Sequence, residues 1–293
     1  MNAPYVPTID AHMHLWDPDL LSYPWLQQHP QLQRRYGVED YPGLDLGGDW
    51  QVDAAVVVEA NVRDGAGLVE SAWLDWVTAT RPRIVGIVAY VDMLDEPRRA
   101  HVLAQLRRTP RVVGVRHNIQ GNPPGFSTQR RFVAGVRAVG ETGYPFDLCV
   151  TAAQLGEVRE LVSLCPDVRF ILDHCGKPDI RGGAFDDWRR GVDALAAHDT
   201  VTCKLSGLFT EAGTGHCDER TLRPYLRHVI ESFGPRRVMY ASDWPVCTLE
   251  GGAHAWHALV TDVICGLCSR NERSEILGGT AIRTYRLSMQ LFE

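Results

Sequence analysis

Eight short apolar runs rich in β-branched residues recur along this chain, and they limit its fold more than any other feature. The runs cover about residues 5–9, 53–59, 84–91, 111–117, 145–150, 168–173, 200–205 and 237–242. Strands that are apolar at nearly every position are typical of parallel sheets, because helices cover both faces of such a sheet. The pattern therefore predicts eight parallel strands.

Segments with helical periodicity separate these runs. Between the second and third runs, apolar residues recur every four positions in two adjacent rows, Leu68, Ala72 and Trp76, and Val69, Trp73 and Val77. This spacing predicts an amphipathic helix over 66–80 with these residues on one apolar face. Further helices are expected at about 97–108, 128–141, 154–164, 185–198, 218–232 and 253–268.

The alternation of eight strands with helices predicts an α/β fold, a (β/α)8 TIM barrel. A doubly wound open sheet is the alternative, and it would place a glycine-rich phosphate-binding turn after the first strand. Here that turn contains His12, His14 and Trp16 instead, and no G-x-G-x-x-G or P-loop motif occurs. No repeat or low-complexity segment marks a boundary, so we expect residues 1–293 to form a single barrel domain.

Composition excludes several classes of partner. The chain has 293 residues, 45% of them hydrophobic, and a formal net charge of -6. Without a basic stripe or tail, nucleic acid is not an expected partner. No apolar stretch approaches the roughly 18 residues that a membrane span needs, so no membrane partner is expected. The first residues, Met1 to Pro4, do not begin a secretory signal, and a cytoplasmic location is expected.

The eight cysteines lie mostly within apolar runs. Without a secretory signal, we expect them to be reduced and buried thiols. Cys265 and Cys268 form a C-x-x-C pair, which is a weak zinc or redox signal when no second pair accompanies it. We interpret both as core cysteines.

The connection after the first strand is unusually long. From about residue 15 to residue 50 the sequence shows neither a clear strand nor a strong helix, but it is rich in aromatic residues. Such long loops are uncommon and are often lids or binding loops. In a barrel this loop lies on the C-terminal face, where active sites are found. We therefore predict that Trp16, together with Tyr23 or Trp25, reaches the pocket.

Two histidines, His12 and His14, follow the first apolar run. Residues i and i+2 of a strand point to the same face, so both imidazoles project together from its end. His174 follows strand 6 and Asp243 follows strand 8, which is the neighbour of strand 1 in a closed barrel. Three imidazoles and one carboxylate can form a tetrahedral zinc shell, or a proton-handling site without metal.

Other polar residues follow the predicted strands. Candidates for substrate binding are Glu59 and Asn61 after strand 2, Arg116 and His117 after strand 4, and Trp244 after strand 8. Their position at the C-terminal ends of the strands is where barrel enzymes bind substrates.

Some other polar residues at the strand ends are interpreted as structural, and others have no assigned role. Asp92, Asn118 and Asp147 are interpreted as helix caps or solvated residues, which are common there. Lys177 has two interpretations of equal weight, a loop lysine and a site residue. The strand ends also carry, without an assigned role, Asp173, Lys204 and Ser206.

Together the motifs resemble the amidohydrolase superfamily, and more narrowly its amidohydrolase-2 branch. The segments that carry the resemblance are IDAHMHLWDP, SYPWL, VVVEANV, GVRHNIQ, FILDHCGKP, CKLSGL and YASDWPV. They span nearly the whole chain in order. The branch includes lactonases for L-fuconolactone, L-rhamnonolactone and pyrone dicarboxylate.

The resemblance implies hydrolysis of a lactone to its hydroxy acid. Asp243 would take a proton from the attacking water, while His174 with His12 or His14 would polarise the carbonyl. The implied substrate contacts are hydroxyls or the carbonyl for Arg116 and His117, hydroxyls for Glu59 and Asn61, and a sugar face for Trp16 or Trp244.

One departure from the superfamily concerns metals. Members with two metal ions carry a bridging lysine on strand 4 and a histidine on strand 5, whereas this chain has Arg116–His117 and Asp147 there. The resemblance therefore implies no two-metal centre. It implies a site that can hold one zinc ion on His12, His14, His174 and Asp243, with no cofactor required for turnover.

Three alternatives stay open at this point. They are a zinc-dependent non-oxidative decarboxylase, a pyrone-dicarboxylate lactonase and a binding protein with a dead site. A dicarboxylate substrate needs several arginines, and only Arg116 clearly lies at a strand end, so a neutral sugar lactone is the expected partner. The sequence does not specify the lactone, its ring size or the oligomeric state.

Overall fold

The chain forms eight parallel strands that follow one another around a sheet. A computed structural model of the chain describes residues 6–44 and 51–288. Each strand pairs in parallel with the next, in the order β1 to β8. The strands are β1 (Ile9–Met13), β2 (Ala54–Val58), β3 (Ile84–Tyr90), β4 (Val112–Arg116), β5 (Phe146–Leu148), β6 (Phe170–Leu172), β7 (Val201–Leu205) and β8 (Val238–Tyr240).

Contacts across the first and last strands bring the two edges of the sheet together. The backbone N–H of Asp243, just after β8, donates to the carbonyl of His12 at 2.8 Å, and that of His14 donates to Trp244 at 2.7 Å. The carboxylate of Asp10 accepts from the backbone N–H of Ser242 at 2.9 Å. The sheet is therefore a nearly closed (β/α)8 barrel, and the predicted TIM-barrel fold is confirmed.

Helices between the strands cover the outside of the barrel. All seven helices expected from the sequence are present, as α1 to α5, α7 and α8, and three short helices were not anticipated. The helices are α1 (Gly67–Thr78), α2 (Glu96–Leu106), α3 (Arg130–Thr142), α4 (Leu155–Leu164), α5 (Phe185–Ala196), α6 (Leu208–Ala212), α7 (Glu219–Phe233), α8 (Gly252–Leu267), α9 (Arg270–Ser274) and α10 (Thr280–Tyr285).

Apolar residues on the two faces of the strands enter two separate clusters. In β2, Ala55 and Val57 pack with the helices in the larger cluster. The alternate residues Ala54, Val56 and Val58 belong to the smaller cluster. Both faces of the strand are thus buried, because one faces the helices and the other faces the opposite side of the barrel. This explains why the strands are continuous apolar runs in the sequence.

The first strand begins later than the sequence predicts. The prediction placed it at 5–9, whereas β1 covers Ile9–Met13, and residue 5 lies outside the described residues. All five residues of β1 are buried, including Asp10 and His12. These polar residues can lie in a buried strand because neighbouring groups in the barrel form hydrogen bonds with them. The backbone N–H of Ser242, for example, donates to Asp10.

The predicted apolar face of α1 is buried only in part, since Leu68, Trp73 and Val77 pack against the core but Val69 and Trp76 are exposed. Trp76 is 74% exposed, whereas the buried residues include Glu70, Ser71 and Thr78. The hydroxyls of Ser71 and Thr78 donate to carbonyls of the preceding turn at 2.8 and 2.7 Å. Glu70 accepts from the backbone N–H of Ala60 at 3.1 Å. Polar residues can face the barrel here because their hydrogen bonds are made locally.

The long connection after β1 contains more structure than the sequence suggests. Four short 3-10 helices lie in its described part, at Pro24–Gln28, Pro30–Leu32, Val38–Asp40 and Pro42–Leu44. Two backbone hydrogen bonds join Trp16 to Tyr36 at 3.2 and 2.9 Å. The rest of the predicted loop, residues 45–50, lies outside the described residues.

The cysteines depart from the expectation in part. Five are buried, but Cys265 is exposed, and Cys217 and Cys268 are half-buried. The interpretation of Cys265 as a core cysteine is wrong, because the last turns of α8 leave it facing solvent. Within residues 6–44 and 51–288, no helix has both the length and the apolar character needed to cross a membrane.

Gly278 supplies a test of the packing at the start of β1. A Cβ atom at this buried residue would lie 1.8 Å from the carbonyl oxygen of Pro7. Gly278→Ala should lower the free energy of unfolding by about 1–3 kcal/mol, because the backbone must move to admit the methyl group. Urea denaturation measures this change.

Gly266→Ala is the matched control. Gly266 is exposed on α8 and has nothing within 4 Å of its Cβ position. This variant should be neutral or stabilise the protein by up to about 1 kcal/mol, because alanine favours a helix more than glycine does. Equal destabilisation by both substitutions would contradict the close packing of Gly278.

Candidate active site

His12, His14 and Asp243 bring three potential ligand atoms to one point at the junction of β1 and β8. The two Nε2 atoms are 3.0 Å apart. Oδ1 of Asp243 lies 3.8 Å from Nε2 of His12 and 3.5 Å from Nε2 of His14. Ligand atoms around a tetrahedral zinc ion lie roughly 3.3 Å apart, since each bond is about 2.0–2.1 Å. The triangle therefore has the size and the donor types that fit one metal ion.

A backbone carbonyl fixes the proton of His14. Nδ1 of His14 lies 2.9 Å from the carbonyl oxygen of Val58 at the end of β2. A carbonyl oxygen only accepts hydrogen bonds, so Nδ1 carries the hydrogen. In a neutral imidazole, Nε2 then presents a lone pair. His14 is therefore prepared to bind a metal ion or to accept a hydrogen bond at the centre of the triangle.

His174 lies in a left-handed turn after β6. Its φ is 55° and that of Cys175 is 54°, and Gly176 and Lys177 also have positive φ. Such backbone is rare for residues other than glycine and is found disproportionately at functional sites. The turn passes close to Gly207, where a Cβ atom would lie 2.5 Å from Cβ of His174. Gly207 thus leaves the space that His174 occupies.

The imidazole of His174 is held by a hydroxyl and kept neutral. Nδ1 lies 2.9 Å from Oγ of Ser206, at the end of β7. It is also 3.9 Å from Oδ2 of Asp243. Burial lowers the pKa of His174 to about 4, although Asp243 opposes this shift. At neutral pH the ring is an uncharged hydrogen-bonding group.

Asp243 is buried but ionised. Its backbone has φ 59°, and this geometry holds the carboxylate between the three imidazoles. Burial raises the pKa of Asp243, but the charge interaction with His174 and the hydrogen bond and charge interactions with His14 and His12 outweigh burial. The pKa of Asp243 therefore lies below its ordinary value, and the group is a carboxylate at neutral pH.

A lysine ammonium group lies directly beneath the histidines. Nζ of Lys204, in β7, is 2.5 Å from Oδ2 of Asp147, 2.9 Å from Oδ1 of Asp173 and 3.0 Å from Nδ1 of His12. All four side chains have no exposed surface. Burial lowers the pKa of Lys204, but Asp147 and Asp173 outweigh it and raise that pKa above its ordinary value. Lys204 is thus a permanent cation inside the barrel.

Arg116 is already paired with acidic groups of the protein. Its Nε lies 2.5 Å from Oε1 of Glu59, and Nη1 lies 3.2 Å from Oδ2 of Asp173. The second oxygen of Glu59 accepts from the backbone N–H of Asn61 at 2.6 Å. The structure thus joins Arg116 and Glu59 to each other, and their predicted contacts with a substrate stay predictions.

The loop aromatics pack around the histidines. Trp16 is fully buried, its ring centroid lies 6.4 Å from that of His14, and its indole N–H donates to the carbonyls of Leu32 and Arg34 at 3.2 and 2.9 Å. Trp244 is also buried and contacts the ring of Tyr36. Both hold the loop against the site, and their contact with a substrate stays a prediction.

Two other aromatics of this loop lie at its outer part. Tyr23 is buried with its hydroxyl facing the carboxyl of Glu70. Trp25 is half-buried and donates from its indole N–H to the carbonyl of Ala60 at 2.8 Å. Trp25 and Asn61 line the same open groove of about 380 Å³. The structure therefore brings Trp25 and Asn61 together, and the contact of Tyr23, Trp25 and Asn61 with a substrate stays a prediction.

The remaining predicted residues divide between ordinary roles and the site. Nδ1 of His117 accepts from the backbone N–H of Met93 at 3.0 Å. Asp92 and Asn118 accept from backbone N–H groups two residues ahead, at 2.8 and 3.0 Å. They stabilise local turns, an ordinary structural role, although they do not cap a helix as the sequence suggested. Lys177 is mostly buried and donates to Oε1 of Gln120 at 2.6 Å. It is therefore not a solvated loop lysine.

The structure shows that the interpretation of Asp147 as a helix cap or solvated residue is wrong. It also gives a position in the site to Lys204 and Asp173, which had no assigned role. Asp147 caps no helix and meets no solvent, since it faces Lys204 inside the barrel. A usable signal was present in the sequence, because Asp147 and Lys204 each interrupt an apolar run and buried charges require partners. Of the 30 basic residues, moreover, only Lys177 and Lys204 are lysines. Both lie at this end of the barrel.

Metal binding by this site is consistent with its donor atoms. His12, His14 and Asp243 form one group of possible ligands, and His12, Asp173 and His174 form another. His12 belongs to both groups, so one ion at either position would use it. His174 also lies near the first group, with Nδ1 3.9 Å from Oδ2 of Asp243, and the four-ligand set expected from the sequence stays a prediction.

Comparisons with known proteins agree with this geometry. The family model described as Amidohydrolase matches residues 9–287. An L-fucono-1,5-lactonase of Burkholderia multivorans is 32% identical over 95% of this chain and 96% of its own length. An L-fucono-1,5-lactonase of Burkholderia ambifaria is 30% identical over 95% of each chain.

A solved structure gives the same result. An amidohydrolase of Burkholderia multivorans, crystallised with bound zinc, superposes with a TM-score of 0.86 at 32% identity and covers 96% of this chain and 100% of its own. Family match, barrel and histidine–aspartate site all lie within the same residues. The chain therefore belongs to the amidohydrolase family.

Proposed function

We propose that this protein hydrolyses a neutral aldonolactone, of the L-fuconolactone type, to the corresponding hydroxy acid. The observation that carries the proposal is an ionised Asp243 placed among the imidazoles of His12, His14 and His174 at the C-terminal end of the barrel. An ionised carboxylate can accept a proton from water, and neutral imidazoles can donate hydrogen bonds to a carbonyl oxygen. The two L-fuconolactonase relatives, at about 30% identity over 95% of the chain, support this class of substrate.

The reaction would begin at the carboxylate. Asp243 takes a proton from a water molecule, which attacks the lactone carbonyl carbon. The carbonyl oxygen becomes an oxyanion, and a ring N–H of His174 donates to it, together with that of His12. His14 presents a lone pair at Nε2 and does not donate there. The proton held by Asp243 then passes to the ring oxygen as the C–O bond breaks. The product is a hydroxy acid, whose carboxyl group then loses its proton to solvent.

A zinc ion, when bound, would be held by His12, His14 and Asp243 and would supply Lewis-acid polarisation of the carbonyl. A lactone is an ester and needs less carbonyl activation than an amide. The hydrogen bonds of the imidazoles can supply several kcal/mol of stabilisation, about 3–4 for one strong donor. We therefore propose that zinc is not required for turnover.

The charges of the site favour a neutral substrate. Arg116 is paired with Glu59 and Asp173, so its positive charge is already balanced. A pyrone dicarboxylate requires unpaired cations for two carboxylates, which Arg116 cannot supply. A decarboxylase of this superfamily would use a histidine near β5, and that strand presents Asp147, which is held by Lys204. L-Fuconolactone and L-rhamnonolactone are the substrates that fit best.

A panel of aldonolactones tests the proposal directly. Initial rates of hydroxy-acid formation should be measured with and without a chelator, using 1,4- and 1,5-lactones of several sugars. We expect turnover of L-fuconolactone or a close stereoisomer in both conditions. Failure to open any lactone would overturn the proposed function, whereas activity that disappears with chelator and returns with zinc would overturn only the metal-independence.

Replacing the proposed base isolates its role. Asp243→Asn should lower kcat by about 10²- to 10⁴-fold, since the amide cannot accept a proton from water. Asp186→Asn is the control, because Asp186 is 78% exposed and contacts Arg189 at the surface of α5. This variant should keep normal rates. Near-normal turnover by folded Asp243→Asn would show that another group is the base.

The pKa values predict an acid-tolerant rate. Because the pKa of Asp243 lies below its ordinary value and that of His174 is about 4, both groups keep their active forms as the pH falls from 7 to 5. The value of kcat/KM should be flat across this range and decline only near pH 4, as His174 and then Asp243 take up protons. Initial rates followed by NMR measure it. A decline with its midpoint near pH 6 would contradict an ionised Asp243.

A further inference from the structure

We propose that Lys204 is a positioning residue that fixes the proton of His12 on Nε2 and thereby weakens zinc binding at the His12–His14–Asp243 triangle. The proposal concerns the state of the imidazoles in the protein itself. It does not depend on which lactone, if any, is the substrate.

The ammonium group of Lys204 can donate hydrogen bonds but cannot accept them. A lysine ammonium has three N–H donors and no lone pair. Nζ of Lys204 makes hydrogen bonds with Oδ2 of Asp147 at 2.5 Å and with Nδ1 of His12 at 3.0 Å, and it forms an ion pair with Oδ1 of Asp173 at 2.9 Å. Because the ammonium cannot accept, Nδ1 of His12 must be the acceptor of its contact with Lys204. In neutral His12 the hydrogen is then on Nε2.

The rings of His12 and His14 are in direct contact. His14 carries its hydrogen on Nδ1, facing Val58, and presents a lone pair at Nε2. Nε2 of His12 lies 3.0 Å from this lone pair. The hydrogen bonds therefore all run in one direction, from Lys204 to His12, then to His14 and finally to the Val58 carbonyl. In this arrangement Nε2 of His12 has no lone pair to offer a metal ion.

Zinc binding requires the opposite tautomer of His12. Nε2 must lose its hydrogen to bind the ion, and Nδ1 must then carry one. Metal-binding histidines commonly donate this second N–H to a carboxylate, and Oδ1 of Asp173 is in place at 3.3 Å from Nδ1. The ammonium of Lys204, however, faces the same nitrogen. Zinc therefore competes with Lys204 for His12, and the ion binds only where this contact is given up.

The other lysine of the chain lacks such a contact. Nζ of Lys177 donates to Gln120 and lies 4.0 Å from Glu211. Lys177 lies three residues after His174, at the same end of the barrel, so its charge also acts on the metal position. A general electrostatic effect would involve both lysines, whereas the tautomer effect belongs to Lys204 alone.

The tautomer can be observed in the wild-type protein. In metal-free protein with ¹⁵N-labelled histidine, the two ring nitrogens of His12 have different chemical shifts depending on which one carries hydrogen. We expect a protonated Nε2 and an unprotonated Nδ1, assigned by the loss of these signals in His12→Asn. The reverse pattern, with hydrogen on Nδ1, would overturn the proposal.

Zinc affinity, measured by competition with a chromophoric chelator, provides the second test. Lys204→Met should bind zinc at least about tenfold more tightly than the wild type, since the loss of the ammonium group lets Nδ1 of His12 donate to Asp173. Lys177→Met is the matched control and should change the affinity far less. Equal gains in both variants, or no gain in Lys204→Met, would overturn the proposal.

Two further variants keep the test decisive. Lys204→Met leaves Asp147 without its partner, so the double variant Lys204→Met/Asp147→Asn removes one positive and one negative charge together and should still fold. It should show the same gain in zinc affinity. Asp173→Asn should have the opposite effect and weaken zinc, because the amide is a poorer acceptor for the N–H of His12. A gain in zinc affinity by Asp173→Asn would contradict the role of Asp173.

Discussion

The ammonium group of Lys204 is the charge on which the rest of the site depends. An isolated ion inside a barrel would be very unfavourable, and it is tolerated here because two carboxylates and an imidazole surround it. Asp173 also contacts Arg116, which in turn holds Glu59. One connected set of charges thus joins β2, β4, β5, β6 and β7. Removing one member of such a buried pair costs about 3–5 kcal/mol, which makes the set a rigid base for the histidines.

The backbone places the reacting groups above this base. His174 and Asp243 both have left-handed φ values, at the ends of β6 and β8. These conformations cost about 1–3 kcal/mol each and persist only where surrounding contacts determine them. For Asp243 the contact is its N–H to the carbonyl of His12, which also closes the barrel. The left-handed turn at His174 is possible because Gly207 has no side chain to occupy the same space. The hydrogen bond that joins β1 to β8 therefore also positions Asp243 in the site.

The sequence predicts this architecture well, because apolar runs record the burial of both strand faces. It also places His12, His14, His174 and Asp243 at the right strand ends, since their spacing follows the strands. The contacts inside the barrel are less accessible. Nothing in the one-dimensional pattern tells that Lys204 of β7 reaches Asp147 of β5, because this depends on the diameter and stagger of the barrel.

The buried face of α1 was predicted only in part, for a related reason. Hydrophobic periodicity assumes that apolar residues are buried and polar residues are exposed. Trp76 is exposed, while Ser71 and Thr78 are buried, because hydroxyls that donate to the preceding turn no longer need water. The same principle explains Asp147. A polar residue in an apolar environment has to be judged by the partner it finds, and the partner comes from another part of the chain.

The tautomer of His12 shows how a site of this type can be either metal-dependent or metal-free without exchanging its ligands. The three donor atoms of the triangle are fixed by β1 and β8, so their positions do not discriminate between the two states. What discriminates is the nitrogen of His12 that carries hydrogen, and that is decided on the far side of the ring, by Lys204 or by Asp173. A carboxylate alone at that position favours the metal-binding tautomer, whereas an ammonium favours the hydrogen-bonding one. The zinc affinity of this barrel would thus be set by the residues beneath the histidines.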